Sequence, residues 1–121
     1  ICSDDGSGHS LDTVELGKVL AEAKKLLGRN IDLMGMDACL MANLEVAYQA
    51  RDYVNYIVAS EENEPNDGWP YTEVLQKLVD EPDMTTADFG AHIVDAYIQS
   101  YATLRSQTCG LEFLNAVIPL P

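Results

Sequence analysis

Apolar positions in the first third of the chain follow a helical rhythm. Leu16, Val19, Leu20, Ala23, Leu26 and Leu27 recur every three or four residues, the interval that gathers side chains on one side of an α-helix. Asp12 and Glu15 precede the run in the arrangement of a capping box, and Gly28 follows it as a stop. IDLMGM, Ile31 to Met36, is short and apolar and comes after a Gly-Arg-Asn turn, which suits a strand covered on both faces in a parallel sheet. Helical spacing returns from Leu40 to Asp52 through Leu44, Ala47, Tyr48 and Arg51, and VNYIVA, Val54 to Ala59, is the next strand. The order helix, strand, helix, strand implies right-handed crossovers. The expected class is therefore α/β, a mainly parallel sheet with helices on both faces.

Between Ser60 and Tyr71 runs SEENEPNDGWPY, with several acids, two prolines, a glycine and the only tryptophan. It is longer than the usual connection in such folds, and loops of that length tend to carry function. Tyr71 to Asp80 reads as a short helix with Val74, Leu75, Leu78 and Val79 inward. Thr85 to Leu104 reads as a longer one with Phe89, Ile93, Ala96, Tyr97 and Tyr101 on its packed side. The tail from residue 105 offers a strand around Leu111 to Val117 without a clear partner. There is no internal repeat and no low-complexity segment.

The totals narrow the function. With 121 residues, 47% hydrophobic and 22% charged, the chain suits one globular domain with a real core. Seven basic against twenty acidic residues give a formal charge of -13, the wrong sign for nucleic acid or an anionic membrane surface. An acidic surface ordinarily serves solubility, but acids gathered at one cleft would select basic ligands. No apolar run approaches the ~20 residues of a membrane helix. Cys2, Cys39 and Cys109 are odd in number and widely spaced, so neither a zinc site nor a disulfide framework is signalled, and at least one thiol is expected free. The chain opens on Ile1, not Met, and reads as a fragment, so it says nothing about a signal peptide.

Cys39 is the candidate for chemistry. In open parallel sheets the ligand site lies beyond the carboxyl ends of the strands, and Cys39 falls there, between IDLMGM and a helical pattern. A helix N-terminus carries about half a positive charge, which stabilises a thiolate below its usual pKa of ~8.5, and its N–H groups can hold an oxyanion. Against this, free cysteine is among the most buried residue types, and Ala38 and Leu40 beside it are apolar. Both readings stand on position alone. A phosphatase loop is excluded, since Leu40 to Val46 holds no arginine, and a second nearby cysteine for thioredoxin-type exchange is absent. A nucleophile elbow wants glycine two residues either side, where Asp37 and Met41 stand instead.

The segments IDLMGMDACLMANLEVAYQ and IVASEENEPNDGWPY together resemble the cysteine region of the clostripain family of cysteine peptidases. The likeness runs from about Asp4 to about Tyr101 and is most specific at Asp37-Ala38-Cys39, Glu45-Val46-Ala47-Tyr48, Ala59-Ser60-Glu61, Gly68-Trp69 and Tyr71. It implies the caspase-like fold shared with gingipains and caspases, as a partial domain: residues 1–121 would be the C-terminal portion of a peptidase domain, with 105–121 an uncertain tail. It further implies an endopeptidase cutting after Arg, or Lys in some relatives, with a peptide or protein as substrate. Export to the cell surface or beyond follows from the same kinship. Carried over, Cys39 is the nucleophile and Asp37 lies in the specificity pocket. Spacing alone also allows Asp37 to be a helix N-cap. Glu64, Asp67 and Trp69 are candidate walls of the cleft, or residues that merely close the loop.

One part of the pattern is missing. The family's base is a histidine in a His-Gly pair at the end of a preceding strand, and no such pair occurs here. His9, followed by Ser10, reads as a solvated turn residue, and His92 as a helix-surface or boundary residue. The 121 residues are thus expected to hydrolyse little alone, to need the missing N-terminal part of the same domain, and to expose an unpaired sheet edge. A non-catalytic caspase-like binding or scaffold domain, and an unrelated α/β module with Cys39 in its core, remain the competing readings. No cofactor is expected. Calcium finds no regular ligand spacing in SEENEPND.

Overall fold

A computed structural model describes residues 3–105 and 115–120. Cys2, Cys109 and residues 111–114 of the expected tail strand lie outside them. Two short strands open the described chain: β1 (Ser3–Asp4) pairs antiparallel with β2 (His9–Ser10), and Asp4 closes the turn by accepting from the Gly6 N–H and the Ser7 hydroxyl. The capping box then forms as its residues dictate. Asp12 accepts the Glu15 N–H at 2.7 Å, Glu15 accepts the Asp12 N–H at 3.1 Å, and α1 (Thr13–Leu27) runs to Gly28.

The sheet has the order β3-β4-β5. β3 (Ile31–Gly35) and β4 (Val54–Ser60) are parallel, with Ile31 opposite Val54 and Gly35 opposite Val58, as a crossover through α2 (Leu44–Ala50) requires. The tail strand has a partner after all. β5 (Asn115–Pro119) lies antiparallel on the far side of β4, a little later than the span 111–117 expected for it.

Helices cover both faces. On one, Leu16 and Leu20 of α1 and Val46 and Ala50 of α2 pack with Met36, Val54, Ile57 and Ala59. On the other, Ile93, Tyr97 and Tyr101 of α4 (Thr86–Arg105) pack with Val58, Trp69 and Val74, the last from α3 (Tyr71–Asp80). β4 is the shared centre, and Ile57, Val58 and Ala59 are almost wholly removed from solvent. Ile57 and Val58, buried in full, each stabilise the fold by ~1.5–3 kcal/mol.

Two helices depart from their periodicity. Only Val74 of α3 is buried, while Leu75, Leu78 and Val79 are exposed, because α3 rests on α4 along a narrow line rather than on the sheet. The helix expected from Leu40 to Asp52 begins only at Leu44. Asn43 is its N-cap, accepting the Val46 N–H at 2.9 Å, and Leu40 has a left-handed backbone, φ 62°, that no helix accommodates.

Candidate active site

Two segments leave the carboxyl ends of the parallel pair, residues 36–43 after β3 and residues 61–70 after β4. Backbone bonds tie the first segment to β4, Met36 N–H to Val58 O at 2.9 Å and Ala42 N–H to Ser60 O at 2.9 Å, and to the second segment, Leu40 N–H to Glu62 O at 3.2 Å. Asn43 also donates its side-chain amide to the Leu40 carbonyl at 2.7 Å, holding the strained residue from its other end. A left-handed leucine costs on the order of 1–2 kcal/mol, and it sits directly after the candidate nucleophile.

Cys39 is exposed and its thiol is free. It is not in the core. Its Sγ accepts the Glu64 N–H at 3.2 Å and lies 3.8 Å from the Glu64 carbonyl oxygen. The helix N-terminus expected beside it is elsewhere, since α2 starts beyond Asn43. Asp37 likewise caps no helix. Its Oδ2 accepts the Trp69 N–H at 3.1 Å and the Tyr71 hydroxyl at 2.9 Å, fastening the long loop to the end of β3.

Trp69 is 7% exposed and forms the base of that loop. Its indole lies against Gly35 so closely that a Cβ there would stand 2.9 Å from the ring, so only glycine permits the contact. The indole N–H donates to Glu64 Oε1 at 3.2 Å. Burial, with the adjacent Asp37 carboxyl adding to it, pushes the Glu64 carboxyl up to about 7, against the opposing pull of the indole N–H. Gly68 before the tryptophan has φ 65° and presses on Asp37, where a Cβ would come within 2.6 Å of Oδ2. Tyr101 of α4 closes the loop from behind by donating to the Gly68 carbonyl at 2.7 Å. Burial holds the hydroxyls of Tyr71, Tyr97 and Tyr101 above the ordinary tyrosine pKa, so they stay neutral.

The fold therefore brings Asp37, Cys39, Glu64 and Trp69 into one bonded cluster. Asp67 is exposed beside it and lines a cavity of about 230 Å³ with Gly68, Trp69, Pro70, Ser100 and Tyr101. The histidines lie apart. His9 is exposed on the β1–β2 hairpin near Glu15 and Lys18, and His92 reaches the Glu73 carbonyl across α3 and α4. Among the described residues no three His, Cys, Asp or Glu side chains converge as metal ligands, and no helix is long and apolar enough to cross a membrane. Tyr71 stands in the sequence only as a position of the family likeness, without a role in the site, and Tyr101, Asn43 and Leu40 join the site with no signal of their own. No spacing rule marks them, because each acts through a bond to a partner distant in the fold or through an unusual backbone angle.

The sequence model of the clostripain family, peptidase family C11, matches residues 1–117. The chain belongs to the clostripain family. Its caspase-like α/β fold recurs in solved structures of clostripain-like proteases. A secreted C11 cysteine protease of Bacteroides thetaiotaomicron, bound to an irreversible peptide inhibitor, is 25% identical with a TM-score of 0.74, over 96% of this chain and 32% of that one. A clostripain from B. thetaiotaomicron ATCC 29148, in complex with a peptide inhibitor, is 24% identical with a TM-score of 0.72, over 98% and 47%. A B. fragilis cysteine protease is 25% identical with a TM-score of 0.66, over 85% and 38%. This clostripain-family chain thus spans less than half the length of each. No curated protein matches it.

Proposed function

We propose that the chain is the nucleophile-bearing portion of a cysteine endopeptidase that cuts after Arg or Lys. The observation that carries this reading is the free, exposed Cys39 thiol at the end of a parallel strand, two residues from an exposed carboxylate that the long loop holds in place. In this reading the Cys39 thiolate attacks the peptide carbonyl carbon, the amine leaves with a proton, and water hydrolyses the resulting thioester. Asp37 faces the basic side chain, where a carboxylate can pair with a guanidinium through two hydrogen bonds. Asp67, Glu64 and Trp69 complete the cleft, Trp69 by holding Glu64 and Asp37 in position. The proton shuttle is a histidine in the preceding part of the parent protein, and the parent is exported.

A second reading is a caspase-like binding domain that has lost catalysis. It is favoured by the bonds of Cys39, which run to Glu64 and to neither histidine. Labelling the parent protein with an arginine-bearing chloromethylketone separates the two. Stoichiometric labelling, abolished in Cys39→Ala, supports the peptidase. No reaction with that probe, alongside ready alkylation by iodoacetamide, removes the basic-residue cleft.

A further inference from the structure

The Glu64 carboxyl is satisfied on one side only. Oε1 accepts the Trp69 indole N–H, while Oε2 is sealed from solvent with no hydrogen-bond partner. The neighbouring acid is Asp37, tied to Glu64 through Trp69, whose N–H Asp37 Oδ2 receives together with the Tyr71 hydroxyl. With both acids ionised, Glu64 keeps a sealed, unpartnered oxygen beside a second anion, an arrangement that proteins rarely leave unrelieved. A proton on Glu64 removes the conflict, since Oε2–H then donates to Asp37.

We propose that Asp37 and Glu64 share one proton, and that a guanidinium or ammonium group entering the cleft displaces it to solvent. The second half rests on the basic-residue reading above; the first does not. No covalent bond changes, and one positive charge replaces another between the two carboxyls. The cleft then presents one negative charge when empty and two when occupied, which lowers the cost of keeping two acids close before substrate arrives.

The surroundings favour this. Asp37 faces Glu64 from the end of β3, Cys39 from the following turn, Tyr71 from α3, and Tyr97 and Tyr101 from α4, with Asp67 on the same loop. The ion pairs among the described residues all lie elsewhere: Lys25–Glu22, Arg29–Asp32, Arg51–Asp52 and Lys77–Glu81. A carboxyl raised from 4.5 to about 7 favours the folded chain in full below pH 4.5, and that contribution is lost as pH rises through 7. Affinity for a basic ligand runs the opposite way, rising as pH passes 7.

Trp69, the chain's sole tryptophan, bonds Glu64 directly and reports the proton through its emission. Emission of the wild-type chain is expected to titrate with a midpoint near pH 7. Glu64→Gln gives a flat curve, because its amide donates to Asp37 permanently while its carbonyl keeps the indole bond. Asp37→Asn, a second variant should the first fail to fold, moves the midpoint down. Benzamidine, as the basic probe on the parent protein, binds about tenfold more tightly at pH 8 than at pH 6, and this dependence vanishes in Glu64→Gln. A wild-type emission curve without a transition between pH 5.5 and 8.5, or a transition that survives Glu64→Gln, overturns the shared proton. Emission that titrates as expected while benzamidine binds at no pH overturns the displacement and the basic-residue reading together.

Discussion

After β3 the chain passes through residues 36–43 to reach α2; after β4 it passes through residues 61–70 to reach α3. Both segments leave the same end of the sheet, yet the first exposes its cysteine and carries a strained leucine, whereas the second wraps a buried tryptophan. The nucleophile's segment contributes little packing of its own around Cys39. The long loop supplies the packing and lends rigidity to its neighbour through Asp37, Cys39 and the backbone bond from Leu40 to Glu62, while β4 itself adds two more. Reactivity and support are thus divided between two connections, and substitutions in each are expected to fail in different ways.

The largest effect is expected at the support. Trp69→Ala empties the space over Gly35 and removes the indole donor of Glu64, so thermal or urea unfolding should show a loss of ~3–5 kcal/mol. Gly68→Ala comes next, at ~2 kcal/mol, since it forces a Cβ into a left-handed backbone and against a carboxylate pinned by two donors. Tyr71→Phe removes one of those donors. It should cost ~1 kcal/mol and raise the parent's KM for arginyl substrates with kcat little changed. Cys39→Ala closes the series, with unfolding free energy within ~0.5 kcal/mol of wild type. A Cys39→Ala loss as large as that of Trp69→Ala would erase the division of roles.

Much of the scaffold was readable because its signals are local. Asp12, Glu15 and Gly28 bound α1, Tyr71 and Asp80 bound α3, and the two apolar runs became the parallel pair. Misreadings arose where distant contacts decide. The spacing of Leu40, Leu44 and Ala47 looks helical throughout, yet Leu40 is turned left-handed by bonds to Glu62 and Asn43, and the helix starts late. Leu75, Leu78 and Val79 repeat at helical intervals without being covered, since periodicity reports a face and not what lies against it. The cluster at Asp37 was legible as residue types but not as a network. Its members stand up to 34 residues apart, and nothing in the chain announces which donor will reach which oxygen.

The ties that join the first segment to β4 and to the loop after it have a further consequence for how this architecture ages. Met36 to Val58, Ala42 to Ser60 and Leu40 to Glu62 are joined by amide and carbonyl groups alone, atoms that nearly every amino acid provides. Substitution can therefore replace most side chains around the cleft without untying its frame. That insulation from sequence drift is how proteins sharing only a quarter of their residues with this chain can keep the same scaffold.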